Sequence, residues 1–296
     1  MRAIRSIERQ SWPDYEIVIV DDRSSPPLAT TIGDRQHCRI ILSEGNGASA
    51  ARNTGIRASA GDYIALLDSD DEFLPGKLTR MAAAIADHPD AILYSRVVLD
   101  HGRNAHAIVP SRPLRHGERM PDFLFAAGEM IATPSLVVPA TLARAVSWDE
   151  TLGYGDDSDW LIRLWQHGAC FHFIPESLVR CDMTHGLPHL SAAGSAEQME
   201  QWIRNMRHVL GTRAELCYRA THLIALRGRL LSWWALRDAG VVILGGLISP
   251  MAVARAFARG LLPRTAYRAL HRLWLRSQAT PRRQYDHPYR IGGDMQ

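Results

Sequence analysis

Short apolar runs alternate with amphipathic stretches through the first two thirds of the chain. Residues 15–20 (Tyr-Glu-Ile-Val-Ile-Val) are rich in β-branched side chains and end at Asp21-Asp22. The pattern returns at 39–42 and at 62–67, the latter ending at Asp68. Runs this short and this apolar read as strands buried on both faces. Between them, Ala48 to Ala60 is alanine-rich and predicts a helix stopped by Gly61. Pro75 to Asp87 predicts a second helix, with Pro75 near its first turn and Pro89 just past its end. Strand, helix and strand in succession predict an α/β fold with a parallel sheet covered on both faces.

Farther on, the pattern predicts strands near 91–99, 106–109 and 135–138, and a helix near 118–127. A helix follows from Ser158 to His167, with Trp160, Leu161, Leu164 and Trp165 on one face, then a strand at 170–174. A loop rich in His, Gly and Pro fills 182–194. Ser195 with Gln198 forms a capping box that opens a helix, and everything beyond reads helical. The division expected is therefore 1–194, α/β, and 195–296, basic and helical.

Composition and charge refine this picture. The 296 residues are 46% hydrophobic and 22% charged, which excludes a disordered chain. Cys38, Cys170, Cys181 and Cys217 stand far apart, at neither zinc nor disulfide-framework spacing, so a reducing cytoplasm is the expected setting. The net charge of +3 conceals an asymmetry: residues 1–200 carry 18 Lys and Arg against 27 Asp and Glu, and residues 201–296 carry 16 Arg against 4 acids. Lys77 is the single lysine, which reads as GC-rich coding rather than chemistry. Arg2, Arg5, Glu8 and Arg9 interrupt any signal-peptide core. The apolar stretch 239–254 is shorter than the ~20 residues a spanning helix needs.

The candidate chemistry is acidic. Asp21-Asp22 and Asp68-Ser69-Asp70-Asp71 each follow an apolar strand directly. Ligands of open parallel sheets bind at the carboxyl ends of strands, so both groups belong to one rim. Clustered carboxylates repel, and a divalent cation with substrate phosphates in its shell offsets that repulsion. The competing reading of 68–71 is a solvated turn capping the next helix.

At the level of motifs the chain resembles the inverting GT-A glycosyltransferases of family 2. The resemblance rests on Asp14-Tyr15-Glu16-Ile17-Val18-Ile19-Val20-Asp21-Asp22, Gly45-Asn46-Gly47, Ala51-Arg52-Asn53-Thr54-Gly55-Ile56 and Gly61-Asp62-Tyr63-Ile64-Ala65-Leu66-Leu67-Asp68-Ser69-Asp70-Asp71, in order and spacing. It covers roughly residues 1–190 and is strongest over 10–80. It implies a Rossmann-like, mixed and mostly parallel sheet with a helical C-terminal extension. It also implies transfer of a sugar, with inversion, from a nucleotide-diphosphate donor such as a UDP-sugar to a glycan or lipid-linked acceptor. By the same resemblance Asp22 contacts the nucleotide base, Asp68 the ribose or donor sugar, and Asp70 holds Mn or Mg against the diphosphate.

Gly155-Asp156-Asp157-Ser158-Asp159-Trp160 resembles the family's general-base motif, which makes Asp157 the base; Asp156 stands where Glu is commoner. The alternative is that Asp157 or Ser158 caps the following helix. Some members of that family place a third metal ligand in the region of the 182–194 loop, which makes His185, beside His189 there, a candidate; a surface histidine is the alternative. Trp148 and Trp160 read either as a stacking platform for an acceptor sugar or as core.

Members of this family begin with a Val/Ile-rich strand, whereas Ile4, Ser6, Ile7, Gln10 and Trp12 resemble the helix after it. The expectation is a start upstream of Met1, and a catalytically inactive truncated remnant is the competing class. Arg264, Arg268, Arg272 and Arg276 recur every fourth residue beside Tyr267, Leu270, Leu273 and Trp274, which reads as a membrane-surface helix. A solvated helical domain is the rival. No recognition motif for nucleic acid accompanies the charge. The expected location is cytoplasmic and peripheral on the inner face of the membrane.

Overall fold

A computed structural model describes residues 1–33, 35–184, 195–224 and 233–278. The N-terminal part runs α1 (Arg2–Glu8), β1 (Ile17–Asp21), α2 (Leu28–Ile32), β2 (Cys38–Leu42), α3 (Ala48–Ala58), β3 (Tyr63–Ala65), β4 (Glu72–Phe73) and α4 (Lys77–Asp87). It continues with β5 (Ile92–Asp100), β6 (His106–Val109), β7 (Val137–Pro139), α5 (Ala140–Ala145), α6 (Asp156–Gln166) and β8 (Phe171–Asp182). Helices α7 (Ala196–Tyr218), α8 (Trp233–Leu244), α9 (Pro250–Leu261) and α10 (Arg264–Gln278) follow.

Strand pairing is mixed. Parallel pairing joins β1 to β2 and the two longest strands, β5 and β8; the shorter pairings, β3 with β7, β5 with β6 and β7, and β4 with β8, are antiparallel. The main sheet runs β3-β7-β5-β8-β4, while β1 and β2 form a two-stranded sheet of their own. Among the described residues no strand joins the two sheets. Helix α3 packs on β1, where Gly55 leaves room for the Val20 side chain, and its Ile56 belongs to the core that contains Ile64 and Leu66.

Strand β8 runs past the expected end at 174 and reaches Asp182. Pro175 reads as a stop because it donates no ladder hydrogen bond. It is tolerated where the register against β5 jumps from Ser95–Ile174 to Arg96–Ser177, a bulge that absorbs the missing donor. The helix expected at 118–127 contains a π-helical turn, Asp122–Ala126, closed by Ala127 N–H on the Asp122 carbonyl at 2.8 Å.

The main core gathers Ile92, Tyr94, Phe123, Leu136 and Val138 with Trp160 and Leu164 of α6 and Trp202, Ile203 and Leu210 of α7. Ser195 caps α7 as the sequence predicts, its side chain accepting from Gln198 N–H at 3.2 Å while Gln198 Oε1 accepts from Ser195 N–H. A smaller cluster joins Ala220 and Ile224 to Ala239 and Val242 of α8 and Val253 and Ala256 of α9. Among the described residues no helix is long and apolar enough to cross a membrane.

Candidate active site

Helix α3 builds the centre of the site from one face. Ser49, Arg52 and Asn53 are three and four residues apart, the spacing that brings helical side chains together. Asn53 is buried and clamps the 148–150 loop: its amide donates to the Trp148 carbonyl (3.0 Å) and Glu150 Oε1 (2.8 Å), and its oxygen accepts from Trp148 N–H (2.8 Å). That loop leads into α6. Ser49 donates to Asp156 Oδ2 at 3.0 Å.

Arg52 is the hub. Its guanidinium donates to Asp156 Oδ2 (2.9 Å), Asp157 Oδ1 (3.3 Å) and Asp68 Oδ1 (3.1 Å), and it lies 4.4 Å over the Trp148 ring. Burial alone would weaken its hold on the proton; the carboxylates of Asp68, Asp157 and Asp156 outweigh that and raise it. The acidic groups expected after β3 and at the start of α6 therefore do meet, through a cation that sequence reasoning had left without a role.

Asp157 lies in the first turn of α6, whose cap is Gly155 at φ 74°, with no side-chain cap bond. The capping alternative is thereby corrected: the Asp157 carboxylate faces Arg52 and Thr133, whose hydroxyl donates to Oδ1 at 2.7 Å, rather than the helix's own amides. Its side chain keeps 46% of its surface open, and Oδ2 has no hydrogen bond among the described residues. Crowding by surrounding protein raises its proton affinity first, Asp156 and Asp68 add to this, and Arg52 and Thr133 oppose it; the result is about 6.

Asp21 is buried and accepts from Ser24 N–H (2.8 Å) and Leu28 N–H (3.0 Å), bonds that shape the loop after β1 and hold its carboxyl below the usual range. Asp22 instead points across to the 45–47 loop, where Oδ2 accepts from Gly47 N–H at 2.8 Å. Gly47 has φ 87°, which only glycine adopts without strain. Arg23 ties the same two loops through the Gly45 carbonyl (2.7 Å) and Asn46 Oδ1 (2.9 Å).

Residues 68–71 divide. Asp68 meets Arg52. Asp70 is exposed, has no hydrogen bond or ion pair among the described residues, and lines a polar cavity of about 260 Å³ with Arg2, Glu72, Asp100, Arg180 and Asp182. Asp71 turns inward: it accepts from Cys181 Sγ (3.1 Å) and Asp182 N–H (3.2 Å), and burial pushes its carboxyl up to about 7. The helix-capping reading of this segment is also corrected, because α4 is capped by Gly76.

Arg2 reaches Asp182 at 2.7 Å because Ser6 and Gln10 pin α1 to the 73–78 segment. Phe73 N–H donates to Ser6 Oγ (3.0 Å), and Gln10 bonds the Leu74 carbonyl (3.1 Å) and Leu78 N–H (3.1 Å). Among the described residues no group of three His, Cys, Asp or Glu is placed to hold a metal. The free Asp70 carboxylate beside an open polar cavity fits instead a cation that keeps one or two carboxylates and completes its shell with phosphate oxygens and water. His185 and His189 lie outside the described residues, as does the loop beyond 184.

Trp148 and Trp160 settle as core: they are 3% and 0% exposed and stack on each other, centroids 4.4 Å apart.

The mixed sheet has the GT-A fold, and Asp68 and the acidic start of α6 meet through one arginine. Residues 1–142, just under half of the chain, match the family model described as Glycosyl transferase family 2. The chain is 27% identical to the amylovoran biosynthesis glycosyltransferase AmsB of Erwinia amylovora, over 73% of this chain and 76% of the relative. It is 28% identical to the pre-mycofactocin glycosyltransferase of Mycobacterium tuberculosis, over 83% of this chain; there it spans about half (52%) of the relative's length. Among solved structures, S. aureus TarS 1-349 in complex with UDP superposes with a TM-score of 0.61 at 16% identity, covering 94% of this chain and 87% of that one. Its complex with UDP-GlcNAc gives 0.58 at 17%, covering 93% and 82%. Likeness at these identities establishes the fold.

Proposed function

We propose that the chain transfers a sugar, with inversion, from a nucleotide-diphosphate donor to a hydroxyl of a glycan or lipid-linked acceptor, and that transfer depends on a divalent cation. The carrying observation is the Arg52 cluster, which brings Asp68 from the donor rim within one side chain of Asp157. The name of the amylovoran relative favours a saccharide acceptor, and the UDP-bound TarS complexes favour a UDP-sugar.

In this reading Asp22 and the 45–47 loop receive the base, Asp68 the ribose or sugar, and Asp70 would hold Mn or Mg. Asp157 takes the proton of the acceptor hydroxyl as its oxygen attacks the anomeric carbon from the face opposite the diphosphate. The bond from the anomeric carbon to the phosphate oxygen breaks, and the diphosphate leaves with the electron pair. A bound cation would offset the charge developing on that diphosphate.

The same reading places the enzyme against an anionic membrane surface. Trp233, Leu236, Leu244, Met251, Leu270 and Leu273 are exposed in the segment that carries the arginine surplus.

The test is calorimetric titration of the full chain with UDP and Mn²⁺, alongside Asp70→Asn. Wild-type binding that weakens at least about tenfold in the variant, an affinity change of about 1.4 kcal/mol, supports the reading. Equal UDP affinity in the two proteins, both folded, would remove Asp70 from the metal site.

A further inference from the structure

Lys77 is the only lysine in a chain whose other basic residues are all arginine, and it is 0% exposed. It is the first residue of α4, directly after the Gly76 cap at φ 82°. Its ammonium has no carboxylate partner among the described residues. Nζ donates instead to the carbonyls of Pro134 (2.9 Å) and Ser135 (3.2 Å) and lies 4.6 Å from the centre of the Phe73 ring. A buried, unpaired ammonium is costly, and burial lowers its proton affinity to about 7. An arginine could not replace it simply, because the planar guanidinium is larger and needs five donor directions satisfied.

The two carbonyls belong to the turn Thr133–Ser135, which enters β7 and is closed by Ser135 N–H on Ala132 (2.8 Å) and Leu136 N–H on Thr133 (3.1 Å). Thr133 is 2% exposed, and its hydroxyl is the group that donates to Asp157 Oδ1. Three consecutive residues thus face two ways: the backbone of 134 and 135 is held by Lys77, and the side chain of 133 is aimed at the carboxylate.

We propose that Lys77 and Thr133 are positioning residues, the lysine fixing the turn so that the threonine hydroxyl orients Asp157 and favours its ionised form. The consequence for catalysis rests on the reading of Asp157 as general base. The groups facing Asp157 are Arg52 from α3, Asp68 from the segment after β3, its helix neighbour Asp156, and Thr133 itself; Cys181 of β8 is the titratable group that faces Lys77.

The test is a carboxyl-carbon NMR titration of Asp157 in the full chain labelled with ¹³C-aspartate, its signal assigned by loss in Asp157→Asn. Thr133→Val is expected to raise the Asp157 titration midpoint by about one pH unit, a roughly tenfold change in proton affinity. Thr133→Ser restores it, and Lys77→Met shifts it in the same direction. An unshifted midpoint in Thr133→Val, with the variant folded by circular dichroism, would overturn the proposal. Should Lys77→Met not fold, an unchanged Lys77 signal in ¹⁵N-lysine spectra of Thr133→Val, together with its Asp157 shift, still supports it. Whether Asp157 is the base is read separately, from UDP-GlcNAc turnover in Asp157→Asn; undiminished turnover would end that assignment and leave the titration result standing.

Discussion

A carboxylate beside Arg52 would ordinarily titrate low, yet Asp157 is raised to about 6, because crowding and two neighbouring carboxylates outweigh one arginine and one hydroxyl. The unfolded chain releases this proton near 3.9. The folded state therefore holds it more tightly, and stability falls as pH rises from about 4 through about 6. A base must be ionised, so turnover is expected to rise with pH across the same interval. Asp157→Asn is expected to lower kcat on the order of 10²–10⁴-fold without lowering the melting temperature at pH 7.5. A large loss of thermal stability in that variant would recast Asp157 as a structural residue. Asp22, Asp68, Asp70 and Asp157 were picked out by the family resemblance of their motifs, the first three also by following apolar strands. Arg52, Thr133 and Lys77 were not, since their roles exist only through bonds between distant residues, 105 apart for Arg52 and Asp157.

At the scale of elements, the periodic segments form the elements their patterns predict, but β2 is not the doubly buried strand expected, because among the described residues it pairs with β1 alone and none of its residues is buried; the other exceptions have local causes. Pro175 sits in a bulge, and Asp122–Ala126 widens into a π turn, closed by a bond across five residues rather than the four of an α-helix. Helix α7 is broken at Gly211, where φ 69° and ψ 164° suit glycine alone. Arg119 fills the break: its guanidinium donates to the carbonyls of Leu210 and Val209, and Nη1 lies 2.8 Å from the place a Cβ would take. Gly211→Ala is thus expected to destabilise the protein by about 1–3 kcal/mol, read as a lower urea midpoint with an unchanged slope. No loss of midpoint would show that the break is not required for the folded state.

At the scale of the whole molecule, the loops proposed to receive the nucleotide sit on the separate β1–β2 pair, and α3 packs on β1 and also enters the main core. The helical segment distributes its apolar residues in two directions. Val242, Val253 and Ala256 pack inward, whereas Leu270 and Leu273 are 52% and 63% exposed; Tyr267, His271 and Trp274 stack along α10, with His271 against His101. Arg276 is drawn to the Arg103 carbonyl, so not every arginine of the repeating set is free for a lipid headgroup. Co-sedimentation with phosphatidylglycerol vesicles, but not with phosphatidylcholine vesicles, is expected. It should fall at least about tenfold in Leu270→Glu/Leu273→Glu, and salt should weaken it. Equal recovery with both lipids would remove the membrane contact.

The order of strands and helices and the capped start of α7 followed from the sequence alone, because periodicity, caps and breakers act over a few residues. Which carboxylate faces the cavity and which turns inward, that two tryptophans stack on each other rather than on a ligand, and that the single lysine supports the turn beside Asp157 were decided by the tertiary structure. Such outcomes depend on which surfaces exclude water together, and no short window of sequence contains that information.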